Sequence, residues 1–372
     1  MDNRLKLGAS SQVLQDKWAL LRGPSRLSYF ILFAAICSTI IPAFLRAQSL
    51  LFPGPKPPDA PSELKNFIGD FGQENDTYFV VERSAALLLI RKSGGEAKLI
   101  PNGSDGFLAL SPIIPGATNP TLLHRGSNGV ATLVVGDSVF PRHNYLAEND
   151  AVYKIHPLRP VEELRKEALQ VSPPRENGTF RKPDLVEVAP LDPLIHLDIR
   201  YATSNDFLGA PVYTQARAFL ERPAAEALLR VQKKLQPLGY SLLIHDAYRP
   251  WYVTKIFWDA TPPEGKIFVA APAQGSRHNR GCAVDLTLYD VASGQPIEMP
   301  GTYDEMSPRS FPDYPGGTSL QRWHRDLLRR AMESEGFSVY EAEWWHFDYK
   351  DWRDYPILNM PFEKVDSGNG AN

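Results

Sequence analysis

The chain has 372 residues, of which 43% are hydrophobic and 22% charged, and its formal net charge is −3. These values describe a folded chain of one large or two smaller domains, and they exclude disordered and collagen-like proteins. Because basic and acidic residues are balanced and form no runs, we expect no nucleic-acid partner. The two cysteines, Cys37 and Cys282, are too few for a disulfide scaffold.

Residues 1–47 have the composition of an export signal. Basic residues predominate over residues 1–26, and the segment from Leu27 to Leu45 is uncharged and mostly apolar. We predict cleavage after Ala47 and export to the bacterial periplasm. An uncleaved membrane anchor is the alternative, because Leu45 is larger than the residue usual at that distance from a cleavage site. A membrane contact is expected only in that case.

A linker and a small all-β accessory domain are predicted next. Residues 48–61 are rich in proline and glycine, which is typical of a linker. Residues 62–170 then contain short apolar or alternating runs separated by glycine-containing turns, followed by a short helix that begins at Pro160. The runs predict about seven strands, at Thr77–Glu82, Leu87–Arg91, Ala97–Ile100, Phe107–Leu110, Thr121–His124, Val130–Val135 and Ser138–Pro141.

A second domain is predicted over residues 184–364, after a proline-rich linker at residues 171–183 and before a disordered tail at residues 365–372. Helices and strands alternate there without the spacing of parallel βαβ units. The predicted fold is therefore α+β, with a mainly antiparallel sheet and flanking helices. The predicted helices are Arg222–Leu235, Trp251–Ala260 and Ser319–Glu335, and the strands are Tyr240–Ile244, Ala283–Tyr289, Phe337–Tyr340 and Trp345–Tyr349.

Four residues of the second domain form a candidate metal centre. His278 and Asp285 flank Gly281, which lets the backbone turn so that both side chains face one point. With His346 they offer the three ligands of a hydrolytic zinc site, which leaves the fourth position for water. Glu343 has the character of the general base. Because residues three apart in a strand face opposite sides, Glu343 is predicted to lie at a bend or bulge.

These motifs resemble those of the zinc D-Ala-D-Ala peptidases. The resemblance is carried by Ser276-x-His278-x-x-Gly281-x-Ala283-x-Asp285 and by Glu343-x-x-His346. Further segments resemble the dipeptidase branch of that family: Asp198-Ile199-Arg200-Tyr201-Ala202-Thr203, Asp246-Ala247-Tyr248-Arg249-Pro250 and Tyr303-Asp304-Glu305-Met306. The match covers about half of the chain, from Pro183 to Phe362.

The resemblance implies a role for each matched residue. One zinc ion per chain would be bound by His278, Asp285 and His346, with Glu343 as the base and Arg249 stabilising the oxyanion. It further implies that Tyr201 lies beside the scissile carbonyl, that Asp304 holds the free amino group of the substrate, and that Ser276 lies near the substrate's carboxylate.

The function implied is zinc-dependent hydrolysis of D-Ala-D-Ala to two D-alanines in cell-wall peptide turnover. The partner expected is therefore a small D,D-dipeptide, with peptidoglycan fragments as further candidates. One alternative is a D,D-carboxypeptidase or endopeptidase that trims peptidoglycan stem peptides. A second is a non-catalytic wall-binding module stabilised by zinc, although such a module would have no reason to retain Glu343 and Arg249.

Overall fold

The structure is a computed structural model that describes residues 53–73, 76–116, 119–126, 129–145 and 152–365. The predicted signal or anchor at residues 1–47 and nearly all of the predicted tail lie outside these ranges. Among the described residues, no helix has both the length and the apolar character needed to cross a membrane.

The accessory domain is an antiparallel meander of eight strands in chain order. Its ends approach each other, since Phe71 pairs with Arg142 and the His143 amide donates to the Asp70 carbonyl over 2.7 Å, so the sheet is barrel-like. The first strand was missed in the sequence, because two glycines interrupt its apolar pattern. The strands are β1 (Gly69–Gln73), β2 (Asp76–Arg83), β3 (Ala86–Arg91), β4 (Glu96–Pro101), β5 (Gly106–Ala109), β6 (Thr121–Arg125), β7 (Ala131–Val135) and β8 (Ser138–Pro141), preceded by the short helix α1 (Ser62–Lys65).

The second domain has the predicted α+β architecture. Its main sheet has the order β10-β12-β13-β15-β14, in which only β10 and β12 pair in parallel, and β9 pairs with β11 in a separate ribbon. Helices α3 and α5 pack against the sheet. The elements are α2 (Val161–Ala168), β9 (Leu185–Glu187), β10 (His196–Leu197), β11 (Phe219–Glu221), α3 (Arg222–Leu235), β12 (Tyr240–Asp246), α4 (Trp251–Ala260), β13 (Ala283–Asp290), α5 (Ser319–Glu333), β14 (Phe337–Tyr340) and β15 (Glu343–Tyr349).

The helix α2 belongs to the core of the second domain. It was expected to close the accessory domain, but Val161, Leu164 and Ala168 are buried in the same cluster as the side chains of α4. The hydrophobic face of α2 therefore packs against residues that follow the predicted boundary, not against the accessory domain. The proline-rich segment that follows is also packed, since Glu176 accepts hydrogen bonds from Arg280 and from the Ile357 amide.

The two domains share a polar and apolar interface. The Asp70 carboxylate of β1 accepts hydrogen bonds from Tyr145 over 2.6 Å and from Tyr314 of the second domain over 2.5 Å. Tyr314 also packs against Phe79 and Val81 on the outer face of β2. The accessory domain is thus bound to the loop region that precedes α5.

Candidate active site

Three predicted ligands meet above the main sheet. Asp285 of β13 lies directly opposite His346 of β15 in the strand register, so both side chains project from the same face. His278 approaches from a single 3-10 turn that ends at Gly281, whose φ of +64° lies in the left-handed region. A side chain at Gly281 would also come within 2.5 Å of Leu185, which adds a steric reason for glycine here.

The atoms of these residues form a compact triangle. His278 Nε2 lies 3.0 Å from His346 Nδ1 and 3.3 Å from Asp285 Oδ1, and His346 Nδ1 lies 3.0 Å from Asp285 Oδ1. All three residues are buried. The spacing allows one ion to contact all three atoms.

The outer hydrogen bonds of the two histidines decide which atoms are free to bind a metal. His278 Nδ1–H donates to the Ala247 carbonyl over 2.6 Å, because a carbonyl can only accept, and His346 Nε2–H donates to Asp348 Oδ1 over 2.9 Å. In the neutral rings, His278 Nε2 and His346 Nδ1 therefore carry lone pairs. With both rings neutral, Asp285 Oδ1 is likewise buried and has no hydrogen-bond donor. Three converging lone pairs fit a divalent cation.

The charges around the triangle are strongly coupled. Burial raises the pKa of Asp285, but the two histidines lower it more, so the pKa of this carboxyl lies far below its usual value. Burial lowers the pKa of His346, whereas Asp348 and Asp285 raise it to about 10. Without a cation, the site would thus retain a proton on His346, and a metal would displace that proton.

Glu343 begins β15 at an irregularity in the strand pairing. Tyr340 pairs with Glu343 and Val339 pairs with Phe347, so β15 carries extra residues at this point, as the predicted bulge requires. The irregularity brings Glu343 Oε2 to within 3.6 Å of His346 Nδ1. Burial and the Asp285 charge raise the pKa of Glu343 to about 7, against the opposing effect of His346. This pKa suits a general base near neutral pH.

Arg249 is held by a buried carboxylate. Its Nε donates to Asp246 Oδ2 over 2.9 Å, and its Nη2 lies 3.7 Å from Asp285 Oδ2. Asp246 is fixed in turn by the Tyr213 hydroxyl, which donates to it over 2.7 Å. Burial alone would lower the pKa of Arg249, but Asp246 and other nearby groups keep it well above its ordinary value. The site thus contains a permanent, oriented positive charge.

Asp304 forms the other end of the site. Its Oδ1 accepts a hydrogen bond from Tyr201 over 3.0 Å, while its Oδ2 is buried without a partner. Burial, together with the charge of Asp285, raises its pKa well above the ordinary value. Asp304 also has a φ of +60°, in the left-handed region that few non-glycine residues adopt. A cationic group bound here would offset the cost of burying the carboxylate and would give Oδ2 a hydrogen-bond donor.

All eight residues predicted from the sequence line a single cavity of about 290 Å³. This volume lies at the small end of the range for ligand pockets, which favours a small substrate. Ser276 is at its wall, where its hydroxyl accepts a hydrogen bond from the His278 amide over 3.2 Å. The residues are Tyr201, Arg249, Ser276, His278, Asp285, Asp304, Glu343 and His346.

Three supporting residues were not identified in the sequence. Asp348 orients His346, Tyr303 donates to Asp285 Oδ2 over 3.2 Å, and Asp246 holds Arg249. Asp348 could have been found, because a residue two positions after a strand ligand lies on the same face. Tyr303 and Asp246 lie in segments that carry the family resemblance, but nothing in those segments indicated that they contact Asp285 and Arg249.

Comparison with known proteins extends these observations. A profile described as D-Ala-D-Ala dipeptidase, Peptidase M15, matches residues 181–366. An Escherichia coli K12 protein named D-alanyl-D-alanine dipeptidase is 35% identical over 179 residues, which are 48% of this chain and 91% of that relative. Proteins of the same name from Enterococcus faecalis V583 and Streptomyces coelicolor are 34% and 33% identical, covering 95% and 93% of their lengths and 46% and 44% of this chain.

Proposed function

This chain belongs to the D-Ala-D-Ala dipeptidase family of M15 peptidases, and from that membership we infer that it hydrolyses D-Ala-D-Ala to two D-alanines. The observation that carries this proposal is the convergence of three potential ligand atoms and a carboxylate of raised pKa in one small cavity. A binding module would need the ligands but would have no use for Glu343.

The residues proposed to hold zinc are His278, Asp285 and His346. Two imidazole nitrogens and one carboxylate oxygen suit zinc, and the orphaned Asp285 Oδ1 would gain the partner that it lacks. When bound in a three-ligand site of this kind, zinc would act as a Lewis acid and lower the pKa of its bound water to about 7. The supporting groups at Ala247, Asp348 and Tyr303 keep the ligands oriented.

Glu343 would transfer the proton in the reaction, and Arg249 would stabilise the negative charge that develops. Glu343 accepts a proton from the attacking water, whose oxygen bonds to the peptide carbonyl carbon. Negative charge then develops on the carbonyl oxygen, and Arg249 stabilises it from the position fixed by Asp246. As the carbon–nitrogen bond breaks, Glu343 delivers its proton to the leaving amine.

Asp304 would select substrates with a free amino terminus. The ammonium group of a dipeptide would give Asp304 Oδ2 a donor and would favour the ionised carboxylate. An acylated substrate would bring an uncharged amide to the same position and leave the carboxylate uncompensated, which costs about 3 kcal/mol or more. This residue therefore distinguishes a dipeptidase from a D,D-carboxypeptidase that trims stem peptides. Tyr201 would lie beside the scissile carbonyl, and Ser276 would lie near the carboxylate of the dipeptide.

The test is release of free D-alanine by the zinc-loaded protein. D-Ala-D-Ala is compared with N-acetyl-D-Ala-D-Ala under the same conditions, and we expect kcat/KM to be at least about 100-fold higher for the free dipeptide. Preference for the acylated peptide would indicate a D,D-carboxypeptidase that trims stem peptides. Activity on neither substrate would support the binding-module alternative.

We further propose that the protein is exported and acts on dipeptides derived from the cell wall. The support for this is the N-terminal sequence alone, with its basic head and apolar segment. Fractionation of cells that express the full chain tests it, with immunoblotting of the periplasm and the membrane. Recovery in the cytoplasm at full length would contradict export.

A further inference from the structure

A second cavity of about 520 Å³ lies between the main sheet and the accessory domain. Its sheet side is formed by β12, β13 and β15, through Leu243, Thr287 and Trp344. Its opposite side includes Lys65 and Arg142 of the accessory domain. Because the family profile begins at residue 181, this opposite side lies outside the matched region. The cavity therefore depends on the accessory domain of this chain.

Two buried polar groups line this cavity without a partner. Thr287 is 5% exposed and Trp344 is 3% exposed, and neither Thr287 Oγ1 nor Trp344 Nε1 has a hydrogen-bond partner. An indole N–H can only donate, so it requires an acceptor. Buried groups left unsatisfied in this way destabilise the folded state, and they are uncommon in folded proteins. A ligand with acceptor oxygens would satisfy both.

The charged side chains that line the cavity are mostly cationic. Four are basic and two are acidic. Two of the basic side chains are already paired, Arg200 with Asp198 at 2.9 Å and Arg309 with Glu305 at 2.7 Å. The remaining field favours a negatively charged ligand. The basic residues are Lys65, Arg142, Arg200 and Arg309, and the acidic residues are Asp198 and Glu298.

We propose that this second cavity binds a small oxyanion, either a carboxylate or a phosphate. The oxygens would accept hydrogen bonds from Trp344 and Thr287, and the basic side chains would neutralise the charge. This site is distinct from the catalytic cavity, because Trp344 lines the second cavity and Trp345 lines the catalytic one. Tyr303 also lines the oxyanion cavity while its hydroxyl contacts Asp285.

The indole N–H signals of the two tryptophans provide the test. The zinc-loaded, ¹⁵N-labelled protein is titrated with N-acetyl-D-alanine or with inorganic phosphate, and the signals are assigned with Trp344→Phe and Trp345→Phe. We expect a saturable shift of the Trp344 signal with at least one probe. The probe that binds more tightly identifies the source of the oxyanion. If only the Trp345 signal moves, or neither moves, the proposal is overturned.

Variants of the lining decide whether the shift reports direct binding. Thr287→Val keeps the shape of the side chain and removes its hydroxyl, so the Kd should rise about tenfold. Lys65→Gln should raise the Kd about threefold. The matched control is Lys98→Gln, an exposed lysine of β4 that does not line the cavity, and it should leave the Kd unchanged. An unchanged Kd in both lining variants would refute the proposed contacts.

Discussion

Asp285 and His346 face each other across paired strands, with Oδ1 and Nδ1 separated by 3.0 Å. Their approach is set by the register of β13 and β15 and not by a loop. A slip of one residue would turn His346 to the opposite face of the sheet. Two of the three proposed ligands are therefore fixed by strand pairing in the main sheet.

Asp348 should control metal affinity without touching the metal. Its carboxylate accepts the His346 Nε2–H, which keeps the lone pair of Nδ1 directed at the site. In Asp348→Asn the negative charge is lost, so we expect the zinc dissociation constant to rise about tenfold to 100-fold. Competition with a chromophoric chelator measures this constant. Asp313→Asn, at an exposed position, is the matched control, and an equal change in both variants would contradict the assignment.

Replacement of Glu343 should separate metal binding from turnover. Glu343→Gln keeps the size of the side chain but cannot accept the proton of water. We expect kcat to fall by about 10²-fold to 10⁴-fold while the zinc content stays at one ion per chain. The measurements are D-alanine release and metal analysis of the same preparation. If kcat of the variant stays within tenfold of the parent value, Glu343 is not the general base.

The sequence predicted the site more completely than it predicted the domain boundary. His278, Gly281 and Asp285 lie close together in the chain, and Glu343 lies three residues before His346, so local spacing and family resemblance were enough. The supporting residues were harder to predict. Tyr303 reaches Asp285 only because a long loop folds back over the sheet, and that path leaves no periodic signal.

The misplaced helix has a related cause. The sequence after Pro160 correctly predicts a short helix, and in the structure Val161 and Leu164 lie on its buried face. Which core receives that face depends on a contact with α4, almost ninety positions further along the chain, and local pattern carries no information about it. The β1 strand was missed for a different reason, since Gly69 and Gly72 conceal its alternation.

His324 should make the protein less stable in acid. Burial, with a smaller contribution from Lys56, lowers its pKa from the ordinary 6.5 to about 4, and its Nε2 lies 2.9 Å from the Tyr240 hydroxyl. At pH 5 the unfolded chain therefore binds a proton that the folded protein excludes. The free energy of unfolding should fall as the pH drops from 6.5 towards 4.

The variant His324→Gln removes this titration and can still hydrogen-bond to Tyr240. Urea denaturation at pH 7 and pH 5 should show a smaller loss of stability in the variant than in the parent. His124→Gln, at an exposed position of β6, should lose as much stability as the parent. Equal losses in all three proteins would mean that His324 does not contribute.

Asp304 should determine whether the enzyme discriminates against acylated substrates. In the free protein its Oδ2 has no partner and its pKa is raised by burial, so a substrate ammonium is the group that would stabilise its charge. In Asp304→Asn, kcat/KM for D-Ala-D-Ala should fall about 100-fold, whereas the slow cleavage of N-acetyl-D-Ala-D-Ala should change little. Tyr201→Phe, which removes only the hydroxyl that donates to Asp304, should cause a smaller loss in the same direction. The two substrates are compared under identical zinc loading, and an equal fall for both would show that Asp304 supports the site without recognising the amine.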